Sequence, residues 1–491
     1  MPEVRTSGDS RGSSPRSRRG GIVGAQHAAA VHVVGGGLAG CEAAWALAER
    51  GVRVTLHEMR PVRMTPAHQS DRLAELVCSN TFKSVEPSHA HGLLKAEMRQ
   101  LGSIVLQAAD EARIPGGSAL AVDRVVFAKR VEARVLAHPN VSLVRGEVTT
   151  LPCPAVIATG PLTSDALAES IAARLGVQSL AFYDAIAPIV SADSLDYSRL
   201  FKASRYGKGG GDDYWNAPFT KEEYEAFVAA LLAGEQYQPE HEFDKVPYFE
   251  GCLPVEEMAQ RGIETLRFGP MKPVGLVDPR AAARGQPGEP YAVVQLRQED
   301  RGAQMWNLVG FQTRLKTGAQ QRVFRTIPGL EQADFLRFGS IHRNSYLNAP
   351  QALTPHLSAK DDPQLLFAGQ LTGVEGYTES AATGMLAGIN LARLLAGEEP
   401  VLPPATTMLG ALYRYLRESE PARFQPMNAN FGLMEPLEGA PKDKFKKKEA
   451  LAARALAHME EFARVLTPRP PLHVDLTPRP PLHDVERGSE G

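Results

Sequence analysis

Cysteine is the residue type whose placement in this chain first indicates covalent chemistry. Four cysteines, Cys41, Cys78, Cys153 and Cys252, are spread over 491 residues. Because no two of them have C-x-x-C spacing, neither a zinc knuckle nor a thioredoxin-type dithiol is predicted, and no metal site is expected. Cys153 is expected on an apolar strand and in the core. Cys252 lies in "EGCLPVEE" (250–257), a turn-like stretch of the kind that exposes a side chain.

The charged neighbours of Cys252 bear on its reactivity. Glu256 and Glu257 would raise the pKa of a nearby thiol, so a reactive Cys252 needs a basic neighbour. Arg267 and Lys272 are candidates by sequence proximity alone. Whether either cation reaches the thiol depends on the elements that carry them.

Residues 27–58 predict a dinucleotide-binding βαβ unit. A strand at Ala29–Val34, a helix at Cys41–Arg50 and a strand at Val52–Leu56 are expected, with Glu58 at the end. Between the first strand and the helix stands a complete G-x-G-x-x-G motif, made of Gly35, Gly36, Gly37, Leu38, Ala39 and Gly40.

Each part of this unit has a physical role. Gly35 permits the tight turn, Gly37 lets the backbone approach a pyrophosphate, and Gly40 lets the helix lie close to the strand. The helix N-terminus offers free N–H groups to phosphates. Glu58 lies 18 residues after Gly40, where an acceptor for a ribose hydroxyl belongs, and its charge disfavours NADP. Cys41, at the helix start, is interpreted as a small packing residue.

Two later segments favour FAD over a nicotinamide as the bound dinucleotide. Residues 154–164 form a short apolar strand ending in A-T-G, and 364–397 form a strand, a glycine-rich turn with Gly369 and Gln370, and a long helix. This arrangement is similar to that of FAD-binding flavoproteins. "GKGGGDD" (207–213) follows no apolar strand and is interpreted as a loop, so a nicotinamide would visit the flavin and leave.

These elements predict an α/β protein with a discontinuous, Rossmann-like FAD-binding domain and an inserted α+β domain. The FAD-binding parts are expected at 28–180 and 335–455, and the insertion at 181–334. Residues 1–27 are rich in Arg, Ser and Gly and predict a disordered extension. Residues 456–491 are expected to hold a helix end and a disordered tail, which repeats "LTPRPPLH".

Composition favours a soluble, cytoplasmic protein. Hydrophobic residues make up 43% of the chain, charged residues 22%, and the formal net charge is −2. Nucleic acid would therefore need a local basic patch, for which the runs 312–325 and 442–448 are candidates. No run of about 18 apolar residues is present, so no transmembrane helix is expected. Scattered cysteines fit a reducing compartment.

Six long segments carry a resemblance to one family. They read "GGGLAGCEAAWALAERG", "LHEMRPVRMTPAHQSDRLAELVCSNTFKS", "GCLPVEEMAQRGIETLRFGPMKPVGL", "MWNLVGFQTRLKTGAQQRVFRTIPGLE", "IHRNSYLNAP" and "FAGQLTGVEGYTESAATGMLAGIN". Together they resemble the folate- and FAD-dependent tRNA (uracil-5-)-methyltransferases over nearly all of 28–435. The resemblance implies that NAD(P)H reduces bound FAD, that methylenetetrahydrofolate supplies the carbon, and that C5 of a T-loop uridine in tRNA receives it. No membrane and no obligate protein partner are expected.

The chemistry of uracil requires particular side chains. C5 is a poor nucleophile until a thiolate adds to C6, and a base must later remove the C5 proton. The resemblance assigns the attack on C6 to Cys252, and a place beside the flavin, in methylene or proton transfer, to Cys78. His342, Arg343 and Asn344 are expected to line the folate or flavin pocket, where an arginine pairs with the glutamate tail of folate.

Three alternatives stay open. The related wobble-uridine modification enzymes share the FAD domain but carry a long helical C-terminal region, whereas fewer than 100 residues follow the last glycine-rich block here. An ordinary flavin oxidoreductase would act on a small substrate; a disulfide reductase would need a closer pair than Cys41 and Cys78. A non-enzymatic, FAD-stabilised tRNA-binding factor would not need Cys252.

Overall fold

The fold is known from a computed structural model that describes residues 30–177, 180–237, 253–283 and 288–466. The strands are β1 (Val31–Val34), β2 (Val54–Glu58), β3 (Thr81–Ser84), β4 (Arg113–Ile114), β5 (Ala119–Val122), β6 (Val141–Arg145), β7 (Ala155–Ile157), β8 (Leu180–Ile186), β9 (Ile189–Ser191), β10 (Phe201–Lys202), β11 (Tyr214–Phe219), β12 (Ala292–Gln298), β13 (Met305–Leu308), β14 (Phe335–Arg337), β15 (Ser340–Tyr346), β16 (Ser358–Ala359) and β17 (Asp362–Phe367). The helices are α1 (Leu38–Ala48), α2 (Ala90–Gln100), α3 (Ile104–Glu111), α4 (Arg124–Ala137), α5 (Asp165–Leu175), α6 (Lys221–Ala233), α7 (Val255–Gln260), α8 (Thr265–Phe268), α9 (Pro279–Ala283), α10 (Thr317–Phe324), α11 (Ala349–Ala352), α12 (Tyr377–Leu395), α13 (Met408–Glu418) and α14 (Lys444–Leu466).

The first sheet is the predicted dinucleotide-binding sheet. Its strand order within the described residues is β16-β17-β7-β1-β2-β6, and every pairing is parallel except that of β16 with β17. Val34, Ile157 and Phe367 are neighbours in register, so β1, β7 and β17 end at one edge. Ligands of such sheets bind outside the carboxyl ends of the strands. The two glycine-rich segments of the sequence therefore meet at this edge.

Helix α1 begins three residues earlier than predicted. Gly37 is its N-cap, with extended backbone angles, so Leu38, Ala39 and Gly40 form the first helical turn. The motif therefore presents helix N–H groups, not only loop backbone, at the edge of the sheet.

Two glycines bring α12 unusually close to α1. A Cβ atom at Gly384 would overlap the carbonyl of Ala39, and one at Gly388 would lie 2.5 Å from the carbonyl oxygen of Ala43. Because these glycines are four residues apart, they lie on the same face of α12. The backbone contact fixes the glycine-rich turn before α12 beside the start of α1.

The insertion has the α+β character that was predicted. Its sheet has the order β10-β11-β12-β13-β9-β14 and is antiparallel throughout the described residues. Its core is rich in aromatic side chains, which include Phe219, Tyr224, Phe227, Phe311 and Phe324. Helices α6, α7 and α10 contribute to this core, which is separate from that of the first sheet.

A two-stranded ribbon joins the insertion to the rest of the molecule, which contains the first sheet and is called the first part. Strands β8 and β15 pair antiparallel, and Ile186 is the ladder partner of Ser340. The chain therefore leaves the first part and returns to it at one place.

Two further expectations are settled by the structure. Cys153 is exposed and not in the core as expected, because β7 begins only at Ala155; its thiol lies 3.2 Å from a carboxylate oxygen of Asp362. No helix within the described ranges combines the length and the apolar run needed to cross a lipid bilayer.

Candidate functional site

A cleft with an empty volume of about 1040 Å³ opens at the carboxyl edge of the first sheet. We call it the dinucleotide cleft. The predicted cofactor residues that line it are Gly35, Gly36, Gly37, Leu38, Ala39, Glu58, Gly369 and Gln370. Gly40 does not line it, because this residue packs against the strand that precedes it.

The four glycines of the motif are required for different reasons. Gly35 has a φ of +107°, and a Cβ atom there would lie 2.5 Å from the carbonyl oxygen of Ala158. A Cβ at Gly36 would crowd the carboxylate of Glu58, and one at Gly40 would overlap the carbonyl of Gly35. A Cβ at Gly37 would meet no atom of the protein within 4 Å. This open cradle at a helix N-terminus fits the pyrophosphate of a dinucleotide.

Glu58 is held at the floor of the dinucleotide cleft by a cation that the sequence interpretation missed. Its carboxylate accepts hydrogen bonds from the backbone N–H of Gly36 (3.0 Å) and from Nε and Nη2 of Arg60 (2.9 Å each). Both side chains are buried. Although burial opposes ionisation, the hydrogen bonds and charge of Arg60 hold the pKa of Glu58 below its usual value. The only signal in the sequence is an arginine two residues after the acid.

A second cleft, with an empty volume of about 1310 Å³, lies between the first part and the insertion. Its polar wall residues include Cys78, Lys83, Arg297, Asn307, Asn344 and Glu379. The residues that line both clefts are Val77, Pro161, Leu162, Gln370 and Tyr377. The dinucleotide cleft therefore opens into the second cleft, and Cys78 lies at their junction.

Cys78 is half-buried and its loop is fixed from two sides. The Tyr377 hydroxyl accepts hydrogen bonds from the backbone N–H of Cys78 (2.8 Å) and of Ser79 (3.1 Å). Arg124 donates to the carbonyl oxygens of Leu76 (2.9 Å) and Cys78 (3.4 Å). Burial raises the pKa of Tyr377, so its hydroxyl stays neutral. Helices α4 and α12 thus set the position of the thiol.

Ionic contacts to the insertion complete this arrangement. Arg124 forms an ion pair with Glu299 (2.7 Å), which follows strand β12. Arg297, on β12, donates to the side-chain oxygen of Asn80 (2.8 Å). The loop that carries Cys78 is therefore held to the second sheet as well as to the first part. Sequence reasoning could not find these residues, since 175 positions separate Arg124 from Glu299 and 217 separate Asn80 from Arg297.

A buried polar cluster lies beneath the second cleft. Lys95 donates to the carbonyl oxygens of Phe82 (2.7 Å) and His91 (2.8 Å), and burial lowers its pKa to about 7. Glu379 contacts the His91 ring (3.1 Å) and accepts from the N–H of Ala429 (2.9 Å). Although burial opposes ionisation, His91 and the charge of Lys83 hold the pKa of Glu379 below its usual value. An ionised carboxylate therefore borders the cleft.

His342, Arg343 and Asn344 form the polar cluster predicted to line the folate or flavin pocket, and the structure describes the side chain of Asn344 alone among them. Asn344 is buried and lines the second cleft. His342 and Arg343 lie on the same strand, β15, but their side chains are outside what the structure describes.

Cys252 lies outside the described residues. The chain resumes at Leu253, and the N–H of Val255 donates to the carbonyl oxygen of Gln312 (2.8 Å), a wall residue of the second cleft. Both acids that follow Cys252 bond to other residues. Glu256 accepts hydrogen bonds from the Thr313 hydroxyl and from the N–H of Arg314, and Glu257 forms an ion pair with Arg314 (2.7 Å).

The candidate cations have mixed roles. Arg267 is committed elsewhere, since it pairs with Glu264 and lies over the ring of Tyr291. In the basic run 312–325, Arg314 and Arg325 serve internal contacts, the latter to the carbonyl of Ala333. In the run 442–448 every residue is exposed, at the start of α14.

Comparison with known proteins gives the family. Residues 30–399 match the family model described as glucose inhibited division protein A. The chain is 58% identical over 435 residues to the methylenetetrahydrofolate–tRNA-(uracil-5-)-methyltransferase TrmFO of Geobacter sulfurreducens, covering 88% of this chain and 98% of that protein. It is 54% identical over 436 residues to the protein of the same name from Aquifex aeolicus, covering 88% and 96%.

A solved structure shares the fold. The structure of Aquifex aeolicus GidA in the form II crystal has a TM-score of 0.62 at 17% identity, covering 89% of this chain and 73% of that chain. The sequence matches, which span nearly the whole of the relatives, confirm the resemblance found from the motifs. The chain therefore belongs to the glucose inhibited division protein A family and, within it, to the folate-dependent tRNA (uracil-5-)-methyltransferases.

Proposed function

We propose that this chain methylates C5 of a uridine in tRNA with carbon from methylenetetrahydrofolate and electrons from reduced FAD. The observation that carries the proposal is the junction of two clefts at Cys78 and Tyr377. A dinucleotide site that opens into a larger cleft between two sheets brings three reactants together: a flavin, a folate and a base. The names of the relatives supply the identity of the substrates.

The residues of the dinucleotide cleft fit FAD. Gly37 and the first turn of α1 would hold the pyrophosphate, and Glu58, oriented by Arg60, would accept from the ribose hydroxyls. Both Gly369 and Gln370 line the dinucleotide cleft and Gln370 also lines the second cleft, so this pair would hold the flavin end. When bound and reduced by NAD(P)H, FAD supplies the two electrons that bring a methylene group to the oxidation level of a methyl group.

Cysteine chemistry activates the base. The thiolate of Cys252 adds to C6 of uracil, and the electron pair of the C5–C6 double bond moves toward C5, which then bonds to the one-carbon unit. Afterwards the C5 proton leaves to a base, and the bond between the methylene carbon and its folate nitrogen breaks, with the electron pair leaving on that nitrogen. The methylene then gains a hydride equivalent, for which reduced FAD would supply the two electrons, and the C6–S bond breaks as the C5–C6 double bond re-forms. Cys78, at the junction of the clefts, is proposed for the proton or methylene transfer. The target uridine must leave its stack to enter the second cleft.

The folate is proposed to occupy the second cleft. Asn344 and the ionised Glu379 offer hydrogen-bond partners to a pterin ring. His342 is proposed to line the same pocket. Arg343, from the sequence cluster, is proposed to pair with the glutamate tail of folate.

The test is transfer of labelled carbon from methylenetetrahydrofolate to an unmodified tRNA transcript in the presence of NAD(P)H. Label should appear as 5-methyluridine in the T loop. Label at the wobble uridine would indicate the related modification enzyme, and tRNA binding without transfer would indicate a binding factor. A transcript with 5-fluorouridine in the T loop should trap a covalent complex in the wild type but not in Cys252→Ala.

A further inference from the structure

Tyr206 is a strained and exposed aromatic residue outside both clefts. Its backbone has φ +58° and ψ +26°, a left-handed conformation that a bulky residue rarely adopts. Its side chain is 63% exposed. Such strain costs on the order of 1–3 kcal/mol and persists where the surroundings enforce it, commonly at functional sites.

The surroundings of Tyr206 are built to hold this conformation. Its N–H donates to the carbonyl oxygen of Gly275 (2.9 Å), and its ring lies directly over that glycine, where any Cβ atom would come within 2.5 Å of the ring. Arg205 donates to the carbonyl oxygen of Val274 (2.5 Å) and to the side chain of Gln295 (3.2 Å). One face of the ring is thus seated on Gly275 while the side chain remains largely open to solvent.

Cations flank the ring in the sequence, and Asp212 and Asp213 follow them. Residues 202–208 contain Lys202, Arg205 and Lys208 and no acid. Lys202 is exposed, and Lys208 is 42% exposed where it pairs with Glu86 (3.1 Å). Exposed Val274 and Val277 extend the apolar surface beside the ring. An exposed aromatic face among lysines is complementary to single-stranded nucleic acid, in which bases stack and phosphates carry negative charge.

The patch borders the second cleft. Glu86, the partner of Lys208, follows strand β3, whose Lys83 lines that cleft. On the other side, Pro270 packs against Gly310, a wall residue of the cleft, a few residues before Val274. An RNA loop with one base in the second cleft therefore has neighbouring nucleotides within reach of Tyr206.

We propose that Tyr206 is a stacking platform for an unpaired base of the tRNA substrate, with Lys202 and Lys208 placed for the adjoining phosphates. The proposal rests on the proposed function and names a part of the substrate other than the target uridine. Sequence-independent stacking fits this role, because Tyr206 is accompanied by lysines and not by a set of side chains that would read base edges.

The test measures affinity for an unmodified tRNA transcript by fluorescence anisotropy. Tyr206→Ala should weaken binding about tenfold or more, and Tyr206→Trp should bind nearly as the wild type. Tyr206→Gly removes the ring and the backbone strain together, so it should fold at least as well and still lose affinity. The KM for tRNA should rise while kcat, FAD content and flavin reduction by NAD(P)H stay unchanged.

Two controls separate stacking from charge and from position. Lys208→Gln should reduce the salt dependence of binding, whereas Tyr206→Ala should leave that slope unchanged. Phe445→Ala tests the candidate basic run 442–448, where another exposed aromatic residue stands among lysines at the start of α14, and should weaken tRNA binding less than Tyr206→Ala does.

Three results would overturn the proposal. In the first, Tyr206→Gly binds tRNA as tightly as the wild type does, and the wild type makes 5-methyluridine. Phe445→Ala could lose affinity where Tyr206→Gly does not, which would place the contact on α14. Tyr206→Gly could change the oligomeric state without changing tRNA affinity, which would make the patch a contact between copies of the chain. A wild type that binds tRNA but makes no 5-methyluridine would instead contradict the proposed function.

Discussion

Gly37 is the residue of the motif that only a ligand restricts. A Cβ atom at this position meets no protein atom, whereas Cβ atoms at Gly35, Gly36 and Gly40 would collide with the protein. Gly37→Val should therefore fold normally and lose FAD, because its side chain fills the space of the pyrophosphate. Absorbance of the purified protein and its melting temperature check both parts.

Gly40→Ala is the matched comparison, since its Cβ overlaps the carbonyl of Gly35. This variant should lose stability as well as FAD. Full FAD occupancy in Gly37→Val would refute the assignment of the cleft.

The pair of Glu58 and Arg60 predicts a pH dependence. The pKa of Glu58 is lowered in the folded state, so the pair stabilises the fold above the usual value of 4.5, and that stability is lost as the pH falls below it. Arg60→Met leaves the carboxylate buried without its cation, raises its pKa, and should move acid-induced FAD release to higher pH. It should cost roughly 3–5 kcal/mol of stability.

Arg63→Met is the control for this prediction. Arg63 pairs with Glu147 at the surface, so its loss should cost less than about 1 kcal/mol and leave the pH profile in place. Identical pH profiles for Arg60→Met and the wild type would contradict the role given to Arg60.

Cys78 offers a test of the junction between the clefts. Cys78→Ala should keep FAD, because the loop is held through its backbone, and should lower methylation about 100-fold or more. Cys153→Ala removes an exposed thiol that lines neither cleft and should be neutral. Near-normal turnover by Cys78→Ala would indicate that Cys78 contributes only to packing.

At the scale of elements, the contact between α1 and α12 depends on glycine. Gly384→Val would drive a side chain into the backbone of α1 at Ala39, so we expect a loss of roughly 1–3 kcal/mol or more in the free energy of unfolding. Ala396→Val, at the exposed end of the same helix, should change it by less than about 0.5 kcal/mol. Chemical denaturation measures both. Equal free energies of unfolding for Gly384→Val and the wild type would show that α1 and α12 can move apart at little energetic cost.

The sequence predicted elements where the determining residues are adjacent. The strand, glycines and helix of residues 31–48 are local, and their arrangement follows from turn geometry and apolar periodicity. The start of α1 was predicted too late because three residues of the motif are compatible with both a loop and a first helical turn. The ion pair of Arg124 with Glu299 was not predictable, since nothing in either segment specifies the other.

The same distinction holds for the candidate site. Eight of the nine predicted cofactor residues line the dinucleotide cleft, because the motif itself encodes their geometry. Tyr377, Lys95 and Glu379 were missed, because their importance arises only when α2, α12 and the loop of Cys78 pack together. Cys153 was misassigned because an apolar neighbourhood in sequence does not fix the residue at which a strand begins.

At the scale of the whole molecule, the two ends of the chain are predicted to be dispensable. Residues 1–25 and 467–491 lack the apolar content that a packed core requires. Removing both should change the melting temperature by less than about 2 °C and leave methylation intact. A large fall in either quantity would show that an end contributes to folding or to substrate binding.

The ribbon of β8 and β15 has a consequence for how such proteins diversify. Because Ile186 and Ser340 face each other across the ladder, the backbone of the insertion joins the flavin-binding half at one pair of adjacent strands. A recombination event with breakpoints near residues 186 and 340, which are adjacent in space, can replace the insertion without cutting a strand of the parallel sheet. Proteins descended from one flavin-binding ancestor can in this way acquire new substrates while the flavin-binding half is inherited unchanged.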